Sequence, residues 1–388
     1  MKNRRIDEMV LGKIKDSTSA ADEKVSLIIY AKKIDKNLSN ILTSCDCEVK
    51  YKLSGINAYA VDVPAKNINE LAKIRQISYI AHDAKADTCL NIARAAVGAE
   101  YAHGVGLDGE NICIAVLDTG LYPHNDIILR KKGEVKAFAD FINGRTKLYD
   151  DNGHGTHVCG IIASNGMSSG GRYKGVAPAA DLVVVKIMDK NGGGLISDIA
   201  AGIEWVIENK EKYNIRIASM SLGVENSNGR NDALMQEAEQ MWDHDIAVFA
   251  AAGNNGPKSR SINSPGTSSK IITVGCVDDM RTVPMHDDKI AEFSSRGPAG
   301  RLSKPDVVAP GVDIISLLNT QRRYTKMSGT SMATPMAAGI AALMLQKKPE
   351  LTPNKIKQMM MSNTFALNEG AHAQGRGEID MVKILKML

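Results

Sequence analysis

Five continuous apolar runs constrain this chain more than any other feature. They are Ile112–Leu117, Leu182–Ile187, Ile217–Leu222, Ala247–Ala252 and Ile271–Val274, and stretches of helical periodicity at Ser197–Asn209, Asp232–Asp243 and Thr330–Gln346 lie among and after them. A strand that is apolar on both faces has no solvent side. Such strands alternating with helices belong to a parallel sheet covered above and below, an α/β doubly wound arrangement. Ligands of such sheets sit outside the carboxyl ends of the strands. With 44% hydrophobic residues in 388, the chain can build the large core this requires.

Before Cys89 the pattern is different. Val25–Tyr30 reads as a strand, and Ile34, Leu38, Ile41 and Leu42 recur at helical spacing. Glu48–Leu53 and Ile56–Val63 read as strands joined by a Ser54-Gly55 turn, Ile68, Leu71 and Ile74 as a second helix, and Ile77–Ile80 as a last strand. The order β-α-β-β-α-β is that of a ferredoxin-like α+β unit. The sequence therefore divides into a polar arm at 1–24, a small domain at 25–88 and a larger domain at 89–388.

Four short segments carry the chemistry: Asp118-Thr119-Gly120, Gly153-His154-Gly155-Thr156-His157, Ala251-Ala252-Gly253-Asn254 and Gly329-Thr330-Ser331-Met332-Ala333-Thr334-Pro335. Amide hydrolysis needs a nucleophile, a base to take its proton and donors for the developing oxyanion. Serine needs a neighbouring imidazole, and the imidazole needs a carboxylate to fix its tautomer. Asp118, His154 and Ser331 supply the three groups, and Asn254 an oxyanion donor. Each alone has a plainer reading, as turn cap, helix cap or N-cap. Together, following strands or opening helices, they fall on the functional side of the sheet. Pro335 is placed near the first turn of its helix, where proline is tolerated. The serine is not in a G-x-S-x-G elbow, and the order Asp, His, Ser is not that of an α/β-hydrolase.

The four segments in this order resemble the subtilisin-like serine proteases (subtilases). Ser221-Leu222-Gly223, Asn263-Ser264-Pro265-Gly266, Phe293-Ser294-Ser295-Arg296-Gly297-Pro298 and Lys304-Pro305-Asp306-Val307-Val308-Ala309-Pro310-Gly311 extend the likeness past Gly109. The chain looks most like the propeptide-bearing intracellular alkaline serine proteases of Gram-positive bacteria. The resemblance implies a zymogen whose first domain is an inhibitory propeptide, and an endopeptidase working through an acyl-enzyme. It implies that Gly192-Gly193-Gly194 and Ser221-Leu222-Gly223 clamp an extended protein or peptide substrate by strand addition. Ala251, Ala252, Gly253 and Asn263 would line the pocket for the residue before the scissile bond, with Asn263 narrowing it. Leu195, Ile196 and Ile199 would form a second apolar pocket. The chemistry needs no cofactor. Family members often carry structural calcium, and Asp126 matches a position that can ligate it, although the loop beyond offers few carboxylates.

Other classes are disfavoured. The net charge of +4 is spread along the chain without a dense basic run, so no nucleic-acid partner is expected. No run of 18 apolar residues is present, so no membrane span is expected. Met1–Lys24 lacks the apolar centre of a secretory signal, and six scattered cysteines read as free thiols of a reducing compartment, so a cytoplasmic location is expected. His154 and His157 form an H-x-x-H pair without the glutamate of a zinc peptidase, and Cys45 and Cys47 have no further ligand nearby. The change of pattern places the propeptide junction between about Lys85 and Asn91. Intact mass of the matured protein is expected to give an N-terminus inside that window, and one outside it would refute the placement.

Overall fold

The computed structural model describes Arg5, Ile6, Val10 and residues 24–82, 90–225 and 232–388. The chain divides into two compact units, Met1–Asp87 and Thr88–Leu388. Most of the expected junction window lies outside the described residues.

In the first unit, β1 (Lys24–Ala31), α1 (Lys36–Ser44), β2 (Glu48–Leu53), β3 (Ala58–Pro64), α2 (Ile68–Leu71) and β4 (Ile77–His82) follow one another. The strands form a sheet in the order β2-β3-β1-β4, antiparallel throughout, which is the ferredoxin-like arrangement. Asp35 caps α1 by accepting the Leu38 N–H at 2.9 Å, and Leu38 and Leu42 turn inward. Two boundaries move. β3 begins at Ala58 because Ser54–Ile56 make a 3₁₀ turn and Asn57 is left-handed, φ 51°. α2 stops after one turn, short of Ile74. Within the stretch read as a polar arm, Ile6 bridges to Ile80 and Ile6 and Val10 are buried in this unit's core. Two apolar side chains suffice to recruit part of a polar segment.

The second unit is built on a ten-stranded sheet. Its parallel centre comprises β5 (Cys113–Asp118), β6 (Val135–Asp140), β7 (Asp181–Lys186), β8 (Ile215–Met220), β9 (Ala247–Ala251), β10 (Ile272–Asp278) and, after the short antiparallel β11 (Lys289–Ile290), β12 (Val307–Pro310). A hairpin of β13 (Ile314–Leu317) and β14 (Tyr324–Met327) stands apart, and β15 (Thr364–Phe365) and β16 (Glu378–Ile379) finish the edge. The order is β15-β16-β12-β10-β9-β8-β5-β7-β6, with β11 on β10. From β5 the chain crosses to the edge strand β6, returns to β7 beside β5, and then passes to the other side of β5, running outward from β8 to β12. The reversal between β5 and β8 is a topological switch point, where an open parallel sheet offers its crevice.

Four helices matter for the site: α3 (His154–Ala163), α4 (Ile196–Glu208), α5 (Ala233–Asp243) and α6 (Thr330–Lys347). α6 is apolar all round and buried nearly all round, as a helix running through the core must be. Close approach is made possible by small residues. A Cβ on Gly339 would stand 2.7 Å from the Val176 Cβ, and one on Gly160 of α3 would run into the Ser316 hydroxyl.

Candidate active site

β5 ends on Asp118, whose side chain is fully buried. Its Oδ1 accepts the Thr119 N–H at 2.7 Å and meets Nδ1 of His154 at 2.7 Å. A carboxylate only accepts, so Nδ1 carries the proton and Nε2 presents its lone pair. His154 is the first residue of α3. The glycines around it are dictated by geometry. Gly153 has φ 111°, and a Cβ on Gly155 would meet the Gly120 N at 2.9 Å and the Gly120 carbonyl oxygen closer still. Burial disfavours the imidazolium most strongly, but the charge and hydrogen bond of Asp118, with the charge of Asp150, outweigh it and hold the His154 pKa above its ordinary 6.5.

Ser331 is the second residue of α6, in the turn whose N–H groups have no partner inside the helix. Its hydroxyl donates to the Ser221 carbonyl at 3.1 Å, and the Ser221 hydroxyl donates back to the Ser331 carbonyl at 2.9 Å. Pro335 lies inside α6 rather than at its first turn. Lacking an N–H, it leaves the Ser331 carbonyl without its helical donor, and Ser221 fills the gap. No hydrogen bond joins Ser331 to His154 in this structure. Bonds of this kind are often formed only with substrate in place.

Asn254 lies just past β9. Its Oδ1 accepts both the N–H and the hydroxyl of Thr330, at 3.0 and 3.1 Å. Two donors on one oxygen fix which end of the amide is which. The Nδ2 group is left to the exposed side, toward Gly329 and the start of α6.

Gly192, Gly193 and Gly194 are exposed but not loose. The Asp189 N–H donates to the Gly193 carbonyl at 2.7 Å, and Oδ1 of Asp189 accepts the N–H groups of Asn191 and Gly193. In the other segment expected to hold substrate, Ser221 and Leu222 are buried and Gly223 is exposed, and Val224 pairs with Ser264 as an antiparallel bridge. Ala251 and Ala252 are buried at the end of β9. Asn263 donates its N–H to Ala252, and its Oδ1 accepts from Asn255 Nδ2 at 3.0 Å. Its side chain stands 2.8 Å from where a Cβ on Gly223 or on Gly253 would be. It thus occupies the space those two glycines leave. Leu195 and Ile196 are exposed at the start of α4, while Ile199 is buried.

Two residues near this cluster escaped the sequence reading. Lys186 is fully buried, and its ammonium donates to the carbonyls of Thr119 and Met188, at 2.6 and 2.8 Å, and to Asp151 at 2.8 Å. It sits opposite Asp118 in the β5/β7 register. Asp150 is buried beneath the His154 turn. A lone lysine inside an apolar run, and paired acids three and four residues ahead of a candidate histidine, were the available signals.

A model of the subtilase family matches residues 109–377, and serine protease AprX of Bacillus subtilis is 42% identical over 344 residues, spanning 82% of this chain and 76% of its own. The chain belongs to the subtilase family. Subtilisin amylosacchariticus, from Bacillus subtilis subsp. amylosacchariticus, is 33% identical over 368 residues, spanning 92% of this chain and 87% of its own. Among solved structures, a cold adapted subtilisin-like serine proteinase superposes with a TM-score of 0.57 at 30% identity, covering 71% of this chain and 89% of its own.

For a subtilase, Asp126 raises the question of calcium. Its carboxylate is fully buried. Oδ1 accepts the Ser168 N–H at 2.8 Å, and Oδ2 accepts the Tyr324 hydroxyl at 2.8 Å and the Ser164 hydroxyl at 3.3 Å. Burial, with Asp126 beside it, pushes the Tyr324 phenol up to about 12, so it remains a donor. Among the described residues no group of three or more His, Cys, Asp or Glu is placed to hold a metal. Calcium takes six to eight oxygens, and the donors gathered on Asp126 do not fit it. His157, the other half of the H-x-x-H pair, is buried with Nε2 against the carbonyls of Ile314 and Thr325 at 3.1 Å. Burial above all, and the neighbouring His154, push its pKa down to about 3, so it stays neutral. The melting temperature is expected to be the same in chelator and in millimolar calcium. Tyr324→Phe is expected to lower stability by about 1.5–3 kcal/mol, the worth of a hydrogen bond to a charged group, in denaturant titration.

Proposed function

We propose that this chain is a serine endopeptidase of subtilisin type, made as a zymogen. The observation that carries the reading is the 2.7 Å contact between His154 Nδ1 and buried Asp118 Oδ1. It leaves Nε2 as the free base at the carboxyl end of the sheet, where Ser331 and Asn254 also lie. Ser331 Oγ attacks the scissile carbonyl and its proton passes to His154 Nε2. The oxyanion is received by Asn254 Nδ2 and the Ser331 N–H. Collapse of the tetrahedral intermediate returns the proton to the leaving amine and leaves an acyl-enzyme. Water, deprotonated by the same imidazole, then releases the acid and restores Ser331. No metal or cofactor takes part.

An extended segment of a protein or peptide substrate is held as an added strand between Gly192-Gly193-Gly194 and Ser221-Leu222-Gly223. The side chain before the scissile bond enters beside Ala251, Ala252, Gly253 and Asn263. The first unit is the propeptide and intramolecular inhibitor. Its ferredoxin-like sheet supports this, as does a match to subtilisin amylosacchariticus that spans too much of the chain to leave that unit out. The five described cysteines are free thiols, in keeping with a cytoplasmic enzyme.

The test follows intact mass, peptidase activity and labelling by a serine-directed phosphonate over time. Wild type is expected to shorten near the junction, gain activity and take up the probe. Ser331→Ala should do none of these, with kcat reduced by roughly 10⁶, the size of effect known for the subtilisin nucleophile. A wild type that stays full length, silent and unlabelled even after treatment with another protease would make the fold a binding module. The base acts only when neutral, so kcat/KM is expected to rise with pH through a limb above 6.5, the side to which His154 is displaced. Asn263→Gly is expected to raise kcat/KM for peptides with a large apolar residue before the cleaved bond by about tenfold or more. An unchanged preference would show that Asn263 does not limit that pocket.

A further inference from the structure

Five hydrogen bonds converge on one buried carboxylate next to the candidate triad. Asp150 is 6% exposed. Its Oδ1 accepts the Thr119 hydroxyl at 3.0 Å, the Asn152 N–H at 3.1 Å and the Gly153 N–H at 2.9 Å. Its Oδ2 accepts the N–H and hydroxyl of Thr156, at 2.9 and 2.7 Å. All five partners donate, so the group acts as a carboxylate with every lone-pair direction in use. Thr119 directly follows Asp118, and Gly153 and Thr156 flank His154. Thr119 carries the tie onward, because the hydroxyl that donates to Asp150 also accepts the Gly155 N–H at 2.8 Å. A single side chain therefore joins the turn that holds the acid to the first turn of the helix that holds the base.

We propose that Asp150 is a positioning residue of the reaction: it fixes the separation of Asp118 and His154 through Thr119, and it stands as a negative charge against the turn that opens with His154. The inference rests on the triad reading given above. Among the described residues, two carboxylates act on His154. Asp118 comes from β5 and Asp150 from the loop before α3. His157, on the same helix, is neutral. Asp151 beyond them is paired with Lys186 at 2.8 Å. Asp150 is thus the charge near the base that neither bonds to it directly nor is neutralised by a cation. Its position also separates it from the general acid and base of the reaction, since it touches His154 only through the backbone that flanks it.

The experiment measures the rate of phosphonate labelling against pH for wild type, Asp150→Asn and Thr119→Val, each produced as the full chain and assayed once its first unit has been removed, by itself or by another protease. In Asp150→Asn the acid limb is expected to move to lower pH by roughly half a unit or more, as the imidazolium loses a nearby counter-charge, and the plateau rate to fall. In Thr119→Val the charge stays and the tie is cut. Its limb is expected to coincide with wild type while its plateau falls by about tenfold or more, the effect of a small misplacement of the reacting groups. An Asp150→Asn limb that does not move overturns the electrostatic role, because a merely structural residue would lower the plateau alone. A Thr119→Val plateau equal to wild type overturns the tether. If Asp150→Asn does not fold, as judged by circular dichroism, Thr119→Val decides. A wild type that is never labelled removes the triad reading, and this inference with it. A wild type with a normal limb and unaltered variants removes only the inference.

Discussion

The hydrogen bond between Asp118 and His154 is the constraint on which the rest of the site is arranged. It needs a carboxylate buried at the end of one strand and an imidazole at the first turn of one helix, brought to 2.7 Å. Neither element can shift independently. β5 is locked on both sides by parallel neighbours, and α3 packs against α6 in the same core. The glycines at 120 and 155 leave room for backbone that passes too close for a side chain, and Gly153 takes a positive φ. A purely electrostatic attraction in water would not hold such a pair. Here Asp118 is fully enclosed, His154 is half-buried, and the backbone fixes both ends.

The same logic governs the proposed nucleophile. Ser331 sits on a helix buried nearly all round, and its carbonyl is held by a residue just past the end of β8. Proline inside a helix usually weakens it. Here the lost helical bond is replaced by a cross-link between the nucleophile's backbone and the segment assigned to substrate binding. The proposed nucleophile, base and acid thus come from three elements whose mutual placement is a property of one core and not of flexible loops.

Much of this was legible in the sequence because the signals were local. Continuous apolar runs marked β5, β7, β8, β9 and β10, and two of the four motifs fell at strand ends, the other two at helix starts. What was not legible depends on long-range pairing. β6 is an edge strand of half-buried residues, and β12 has only four, so neither carries a strong pattern. The Tyr324–Asp126 bond joins residues 198 apart, and nothing in either neighbourhood announces it. Asp150 and Lys186 look like ordinary charges, one in an acidic run and one interrupting a strand. Their meaning appears only when Thr119 is between them. Ile6 and Val10 were lost in a polar background, where two apolar residues do not make a period.

Lys186 has a consequence for how the protein comes into being. An ammonium buried without partners costs several kcal/mol, and its partners come from the ends of β5 and β7 and from the loop before α3. The cost is offset only when all three segments have closed around it. Those are the segments that place the acid and the base. A chain in which this ammonium is still open to water is therefore one in which the proposed acid and base have not yet been brought together.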